Sequence, residues 1–106
     1  MAEFIQDESE FESRLAAANV LVVDCTATWC GPCKLVSPII DRLAVDYSDR
    51  AAIFKLDVEP NRDLAKRLGI RNIPAVILFK AGEKVETLVG VKSYEDYSLA
   101  IDKLLP

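Results

Sequence analysis

Trp29-Cys30-Gly31-Pro32-Cys33 stands between an apolar run, Val20-Leu21-Val22-Val23, and a segment of helical periodicity at residues 35–47. The apolar run has no polar alternation, which is typical of a strand covered on both faces. In residues 35–47, apolar side chains recur every three or four positions, which predicts a long amphipathic helix, kinked by Pro38 inside it. The two cysteines are therefore predicted at the point where a buried strand ends and a helix begins.

The segments on either side extend this alternation of strands and helices. Ser9, with Glu12 three residues later, predicts a capping box that opens a first helix over Ser9 to Ala18. A further strand is predicted over Ala51 to Val58. A short helix around Leu64 follows it and should end at Gly69.

The last third of the chain predicts two strands and a helix. Ala75 to Phe79 is a continuous apolar run, and Ala81-Gly82-Glu83 between it and Val85 to Val89 predicts a tight turn and hence an antiparallel hairpin. Ser93 and Asp96 predict the capped start of a last helix. With a short first strand over Glu3 to Gln6, the pattern indicates an α/β fold with a mixed sheet of about five strands and helices on both sides.

Length and composition limit what this chain can be. Its 106 residues are 51% hydrophobic and 28% charged, which predicts one globular domain over residues 1–106. The absence of histidine excludes His-dependent nucleophile triads and His-ligated zinc or haem. The net charge of −4, with no cluster of basic residues visible in the sequence, argues against nucleic acid as a partner.

The N-terminal segment shows no targeting signal. Met1 to Glu12 is acidic, whereas a secretory signal needs a basic start and an apolar run. The most apolar stretch, Leu15 to Ala27, is interrupted by Asn19 and Asp24 and is too short to span a bilayer. We therefore expect a cytoplasmic, reducing location and no membrane association; the alternative is a processed organellar protein carried on a new initiator Met.

The spacing of Cys30 and Cys33 permits three interpretations. A zinc site would lack ligands, because there is no second cysteine pair and Cys25 alone cannot complete four. A purely structural disulfide across so short a loop would remove little chain entropy. A redox-active dithiol is favoured, since a thiolate at Cys30 would be stabilised at the start of a helix. Cys25, within the strand, is expected to be inert core, with regulatory oxidation as the alternative.

Several further positions match one known family. They are Asp24, Pro38, Lys55, Asp57, Ile73-Pro74, Gly82 and Gly90, together with the motif at residues 29–33. On these residues the chain resembles the thioredoxin family over essentially its whole length. It departs from many relatives at Cys25 and Thr26, where bulky aromatics are common, and at Thr28, where an acidic residue is common.

The resemblance implies a thioredoxin fold with four helices around the sheet, and a general protein-disulfide reductase without metal or bound cofactor beyond a redox-active Cys30–Cys33 disulfide. The implied partners are a thioredoxin reductase, NADPH- or ferredoxin-linked, and oxidised clients such as peroxiredoxins, methionine sulfoxide reductase and ribonucleotide reductase. A monomer is expected. The alternatives are an oxidant or isomerase of the same fold, and a non-catalytic interaction subunit.

The resemblance also implies roles for individual residues. Cys30, expected at the exposed helix start, attacks the client disulfide, and the more buried Cys33 releases the client. Asp24 is implied to be a buried proton acceptor for Cys33, with Lys55 nearby to tune it. On sequence alone, Asp24 could instead be a solvated strand end.

The remaining implied residues form a docking surface. The Ile73–Pro74 peptide bond is expected to be cis, with the backbone of Ile73 pairing to an extended client segment. The surface as a whole would comprise Trp29, Gly31, Pro32, Ile73, Pro74 and Gly90. For Trp29, packing in the core is the alternative.

Overall fold

A computed structural model describes all residues, 1–106, and shows five strands and four helices. In chain order these are β1 (Glu3–Ile5), α1 (Glu8–Ala17), β2 (Val20–Thr26), α2 (Gly31–Asp46), β3 (Ala52–Asp57), α3 (Arg62–Arg67), β4 (Ala75–Lys80), β5 (Glu83–Val89) and α4 (Tyr94–Asp102). The predicted α/β class and the element count are confirmed.

The five strands form one mixed sheet in the order β1-β3-β2-β4-β5. Strands β1, β3 and β2 are parallel, whereas β4 is antiparallel to β2 and β5 is antiparallel to β4. The central strand is β2, and its residues 20–25 are all buried, as its unbroken apolar run predicts. Asp24 pairs with Lys55 on one side and with Val76 on the other, so its carboxyl is placed in the middle of the sheet.

Two apolar layers cover the sheet. Helices α2 and α4 pack on one face, where Val36, Ile40 and Tyr97 meet Val20 and Val22 of β2. Helices α1 and α3 cover the other face with Phe11, Leu64 and neighbouring side chains. Because successive strand residues point to opposite faces, Asp24 shares the face of α2 and α4, and Cys25 shares that of α1 and α3.

The predicted start of the first helix is wrong. Helix α1 begins at Glu8, and Asp7 is its N-cap, with its carboxylate accepting from the Glu10 N–H at 2.8 Å. Aspartate is as good an N-cap residue as serine, and Asp7 precedes Ser9 by two positions. The helix therefore begins after Asp7, and Ser9 lies inside its first turn. At α4 the predicted cap is confirmed, because Ser93 and Asp96 form both hydrogen bonds of a capping box.

The proline inside α2 does not end the helix, which continues through Pro38 to Asp46. Helix α3 is followed by Gly69 with a φ of +76°, in agreement with the predicted glycine stop. The β4–β5 hairpin is also confirmed. Its turn residues Ala81 and Gly82 have φ values of +51° and +85°, the sign that a two-residue type I′ turn requires at both positions.

Candidate active site

Cys30 and Cys33 lie where β2 has ended and α2 begins, and their sulfurs form a disulfide with a Cα–Cα distance of 5.3 Å. Cys30 is the N-cap of α2, and its Sγ accepts a hydrogen bond from the Cys33 N–H at 3.3 Å. Pro32 occupies the first turn, where its missing N–H leaves no lost hydrogen bond. The helix therefore presents its free N–H groups to the sulfur of Cys30.

The expectation of an exposed Cys30 is wrong for this oxidised form. Cys30 is 5% exposed and Cys33 is 2% exposed. The bonded sulfurs pack with Ala27 and are covered from the side by Val58 and Ile73. The disulfide thus lies just below the surface, so a client must approach it closely over its neighbours.

Asp24 is completely buried, and the alternative of a solvated strand end is wrong. Neither carboxyl oxygen has a hydrogen-bond partner. Burial penalises the charged form and raises the pKa of Asp24 to about 7, with Lys55 opposing the shift and Asp41 adding to it. A group that changes its protonation near neutral pH is therefore held inside the sheet.

Lys55 lies near Asp24, as expected, but it makes its hydrogen bond and its ion pair with other side chains. Its buried Nζ donates to Ser37 Oγ at 2.7 Å and pairs with Asp41 Oδ1 at 2.9 Å. Ser37 and Asp41 are four residues apart in α2 and share one helix face, a pattern that could have indicated them. Sequence reasoning missed both.

Asp41 is ionised in this arrangement. Burial opposes its charge, but hydrogen bonds from Lys55 and from the Ala2 N–H outweigh that effect and hold the pKa of Asp41 below its usual value. The ammonium of Lys55 is thus neutralised mainly by Asp41 and only partly by Asp24.

The Ile73–Pro74 peptide bond is cis, as the resemblance implies. Ile73 is half-buried beside the cysteines, and the Gly90 N–H donates to the Pro74 carbonyl at 2.8 Å. Gly90 itself has a φ of +91°, which a side chain would strain. The Pro74 ring is buried, so Pro74 does not contribute an exposed side chain to the expected docking surface.

Trp29 is 67% exposed, so the alternative of core packing is wrong. Its indole N–H donates to Glu59 Oε1 at 2.9 Å, and Glu59 also accepts from Arg62 at 2.8 Å. These two hydrogen bonds, that from Arg62 first, hold the pKa of Glu59 below its usual value. Sequence reasoning missed Glu59, which lies 30 residues from Trp29 and shows no local signal.

Cys25 is buried against α1 and α3, as expected of a core cysteine. Burial, and to a lesser degree the nearby Asp24, raises the pKa of its thiol to about 12. No three Cys, Asp or Glu side chains are grouped so that they could hold a metal ion. None of the four helices is both long enough and apolar enough to cross a membrane.

A disulfide at the N-terminus of a helix, just beyond the carboxyl end of the central strand of a five-stranded mixed sheet, is the arrangement of a protein-disulfide oxidoreductase that works by dithiol–disulfide exchange. A sequence model of one family, Thioredoxin, matches residues 3–103. The chain therefore belongs to the thioredoxin family.

Individual relatives agree with this assignment. The chain is 42% identical over 98 residues to a thioredoxin of Staphylococcus epidermidis, covering 92% of this chain and 93% of the relative. It is 40% identical to a thioredoxin of Staphylococcus aureus with the same coverage. Among solved structures, it is similar to a mutant thioredoxin from Halobacterium salinarum, with a TM-score of 0.93 and 31% identity over 99% of this chain and 91% of that chain. It is also similar to the oxidised mitochondrial thioredoxin 3 of Saccharomyces cerevisiae, with a TM-score of 0.88 and 29% identity over 97% of this chain and 95% of that chain.

Proposed function

We propose that this protein is a general protein-disulfide reductase and that a thioredoxin reductase returns its Cys30–Cys33 disulfide to the dithiol. The observation that carries the proposal is the position of Cys30 Sγ at the N-cap of α2, where it already accepts a backbone N–H. Such a position stabilises a thiolate, and the thiolate is the attacking form of cysteine.

The first step forms a mixed disulfide. The Cys30 thiolate of the reduced protein attacks one sulfur of a client disulfide, the client S–S bond breaks, and the departing sulfur leaves as a thiolate that takes up a proton. An extended client segment beside the disulfide would pair with the backbone of Ile73, next to the exposed Trp29, Gly31 and Pro32.

The second step releases the client. Cys33, one helical turn away, attacks Cys30 Sγ, so that the Cys30–Cys33 bond forms and the bond between Cys30 and the client breaks. The client sulfur leaves as a thiolate and takes up a proton, which makes the client a dithiol. Two electrons have then passed from this protein to the client. Because the attack is intramolecular and the two Cα atoms are only 5.3 Å apart, Cys33 acts at a high effective concentration.

Asp24 is proposed to accept the proton that Cys33 loses in this second step, directly or through water. A pKa of about 7 suits this role, because a base is most effective when its pKa lies near the working pH. Lys55 would tune that pKa through its charge, although it is paired with Asp41.

Capture of the mixed disulfide tests the order of attack. A Cys33→Ser variant, reduced and mixed with an oxidised protein client, should accumulate a covalent complex through Cys30 that a non-reducing gel resolves. A Cys30→Ser variant is the matched control and should accumulate little complex. Equal accumulation by the two variants would contradict the assigned roles.

The direction of electron flow is tested by the reduction potential of the Cys30–Cys33 couple. Gly31 and Pro32 add no positive charge that would stabilise the thiolate further, and a very stable thiolate is what makes an oxidant. A potential well below that of the glutathione couple supports the reductase, and one above it supports the oxidant or isomerase. If Cys30→Ser abolishes reduction without loss of partner function, the protein is a non-catalytic interaction subunit.

We further propose that the protein works in the cytoplasm as a monomer. The clients would be oxidised enzymes such as peroxiredoxins, methionine sulfoxide reductase and ribonucleotide reductase. Reduction of the purified protein by an NADPH-linked and by a ferredoxin-linked thioredoxin reductase, measured side by side, identifies the electron donor.

A further inference from the structure

A cleft of about 650 Å³ opens beside the disulfide, between α3 and the segment that leads into β4. Trp29 lies at one end of it, and Val58 and Ile73 form part of its wall. Val58 and Ile73 also pack against Ala27 and the two cysteines. A polypeptide whose disulfide reaches Cys30 can therefore continue into this cleft without leaving the surface.

The cleft has a charge opposite to that of the chain. The whole protein carries −4, yet the charged side chains that line the cleft are three cations, Arg62, Lys66 and Arg71, and one anion, Glu59. All three cations lie within residues 62–71, interspersed with Asp63, Arg67 and apolar residues, so the sequence alone does not show which basic side chains face the cleft. Helix α3 and the turn after it bring the three together.

Two of these cations have no partner in the protein. Glu59 is used by Arg62 and by the Trp29 indole, at 2.8 and 2.9 Å. Lys66 and Arg71 are exposed, and neither lies within ion-pair distance of any carboxylate. The neighbouring Arg67 differs, since it points to α1 and pairs with two of its glutamates. The cleft thus presents two free positive charges together with apolar lining side chains.

We propose that this cleft binds acidic segments of client proteins, so that a disulfide flanked by Asp or Glu is reduced faster than one flanked by neutral or basic residues. Carboxylates of the client would meet Lys66 and Arg71, while apolar side chains of the same segment would contact Val58 and Ile73. Complementary charge of this kind mainly accelerates encounter and selects the partner. The inference rests on the proposed reductase function and adds a substrate preference to it.

The test uses three disulfide-linked peptides that differ only in the residues on each side of the cysteine, which are Glu, Gln or Lys. The second-order rate constant for reduction of each by the fully reduced protein is measured at low salt and again at high salt. We compare Lys66→Gln and Arg71→Gln with Lys103→Gln. Lys103 is an exposed lysine without an ion pair at the end of α4, on the other side of the sheet, and its loss changes the net charge equally.

The unsubstituted protein should reduce the Glu peptide fastest and the Lys peptide slowest. Lys66→Gln and Arg71→Gln should each lower the ratio of these two rate constants by about two- to fivefold, the effect of one exposed ion pair. Lys103→Gln should leave the ratio unchanged. High salt should bring the ratio toward one, because screening shortens to about 3 Å at 1 M. A charge reversal, Lys66→Glu, should shift the preference toward the Lys peptide.

Two failures are distinguishable. If all three peptides are reduced at the same rate, or if Lys103→Gln changes the ratio as much as Lys66→Gln does, the acidic preference of the cleft is overturned and the reductase function stands. If the protein reduces none of the peptides, the reductase function is itself wrong, and the inference falls with it.

Discussion

Lys55 Nζ lies 2.9 Å from Asp41 Oδ1, although the strand register pairs Lys55 with Asp24. The same ammonium donates to Ser37, so its charge is directed toward α2. Asp24 is left buried without any hydrogen bond. An unpaired buried carboxyl keeps its proton to an unusually high pH, which gives this site a pH dependence that can be measured.

The stability of the protein should fall as the pH rises through the range in which Asp24 ionises. The folded chain holds the Asp24 proton up to about pH 7, whereas the carboxyl has a pKa near 3.8 without burial. Between these values the unfolded chain binds fewer protons, so the free energy of unfolding decreases with pH. The shift corresponds to as much as about 4 kcal/mol at pH 8. Asp24→Asn should therefore stabilise the oxidised protein by a few kcal/mol at pH 8 and hardly at all near pH 3.5. Urea unfolding at the two pH values measures the free energy of unfolding of both proteins.

A control separates this effect from a general loss of negative charge. Asp63→Asn removes an exposed carboxylate in the first turn of α3 and should not stabilise the protein at pH 8, since such surface substitutions change the free energy of unfolding by about 0.5 kcal/mol or less. If Asp24→Asn stabilises equally at pH 3.5 and pH 8, ionisation of Asp24 is not the cause.

The pKa of Asp24 should respond in opposite directions to its two charged neighbours. Lys55→Met removes a favourable cation and should raise it, whereas Asp41→Asn removes a repelling carboxylate, frees Lys55, and should lower it. NMR titration of the Asp24 carboxyl carbon measures the pKa of Asp24 in each variant. Asp46→Asn, on the same helix but absent from the causes of the shift, is the control. Shifts of the same sign in the two variants would show that Lys55 and Asp41 do not act on Asp24 as separate charges.

Trp29 should matter for client reduction and not for folding. Its side chain is mostly exposed, so Trp29→Ala should change the free energy of unfolding by no more than about 0.5 kcal/mol. The rate constant for client reduction should fall several-fold, because an apolar contact next to Cys30 is lost. Val45→Ala, an exposed apolar residue near the other end of α2, should leave that rate constant unchanged. A large loss of stability in Trp29→Ala would mean that the indole supports the fold.

Ala81→Gly should stabilise the protein. Ala81 adopts a φ of +51°, a left-handed conformation that costs a residue with a Cβ roughly 1–2 kcal/mol. Glycine avoids this cost but loses roughly 0.5–1 kcal/mol more on ordering its backbone. The expected net gain is up to about 1 kcal/mol, visible as a higher thermal midpoint. Gly82→Ala, at the next position and also with positive φ, should have the opposite effect.

The parts of this structure that could be predicted depend on residues close together in sequence. The apolar run of β2, the cysteine spacing and the Ser93–Asp96 cap each involve residues within a few positions of one another. Hydrophobic periodicity and the preferences of capping residues are therefore enough to predict them. Where two nearby residues could each serve as the N-cap of a helix, as Asp7 and Ser9 could for α1, the sequence does not decide between them.

The parts that could not be predicted depend on contacts between distant segments. Asp41 captures Lys55 across 14 positions, and Glu59 accepts from Trp29 across 30. The low exposure of Cys30 likewise comes from Val58 and Ile73, which only the folded sheet brings to it. The family resemblance implies a buried Asp24, but it does not imply that the carboxyl lacks any hydrogen bond.

The burial of Cys25 determines how many covalent forms the oxidised chain can adopt. Three cysteines allow three different pairings, and rearrangement among them requires a thiolate. Burial raises the pKa of the Cys25 thiol to about 12, so this thiol stays protonated at neutral pH. We therefore expect Cys25 to stay out of the exchange, so that repeated cycles of oxidation and reduction return the same Cys30–Cys33 isomer.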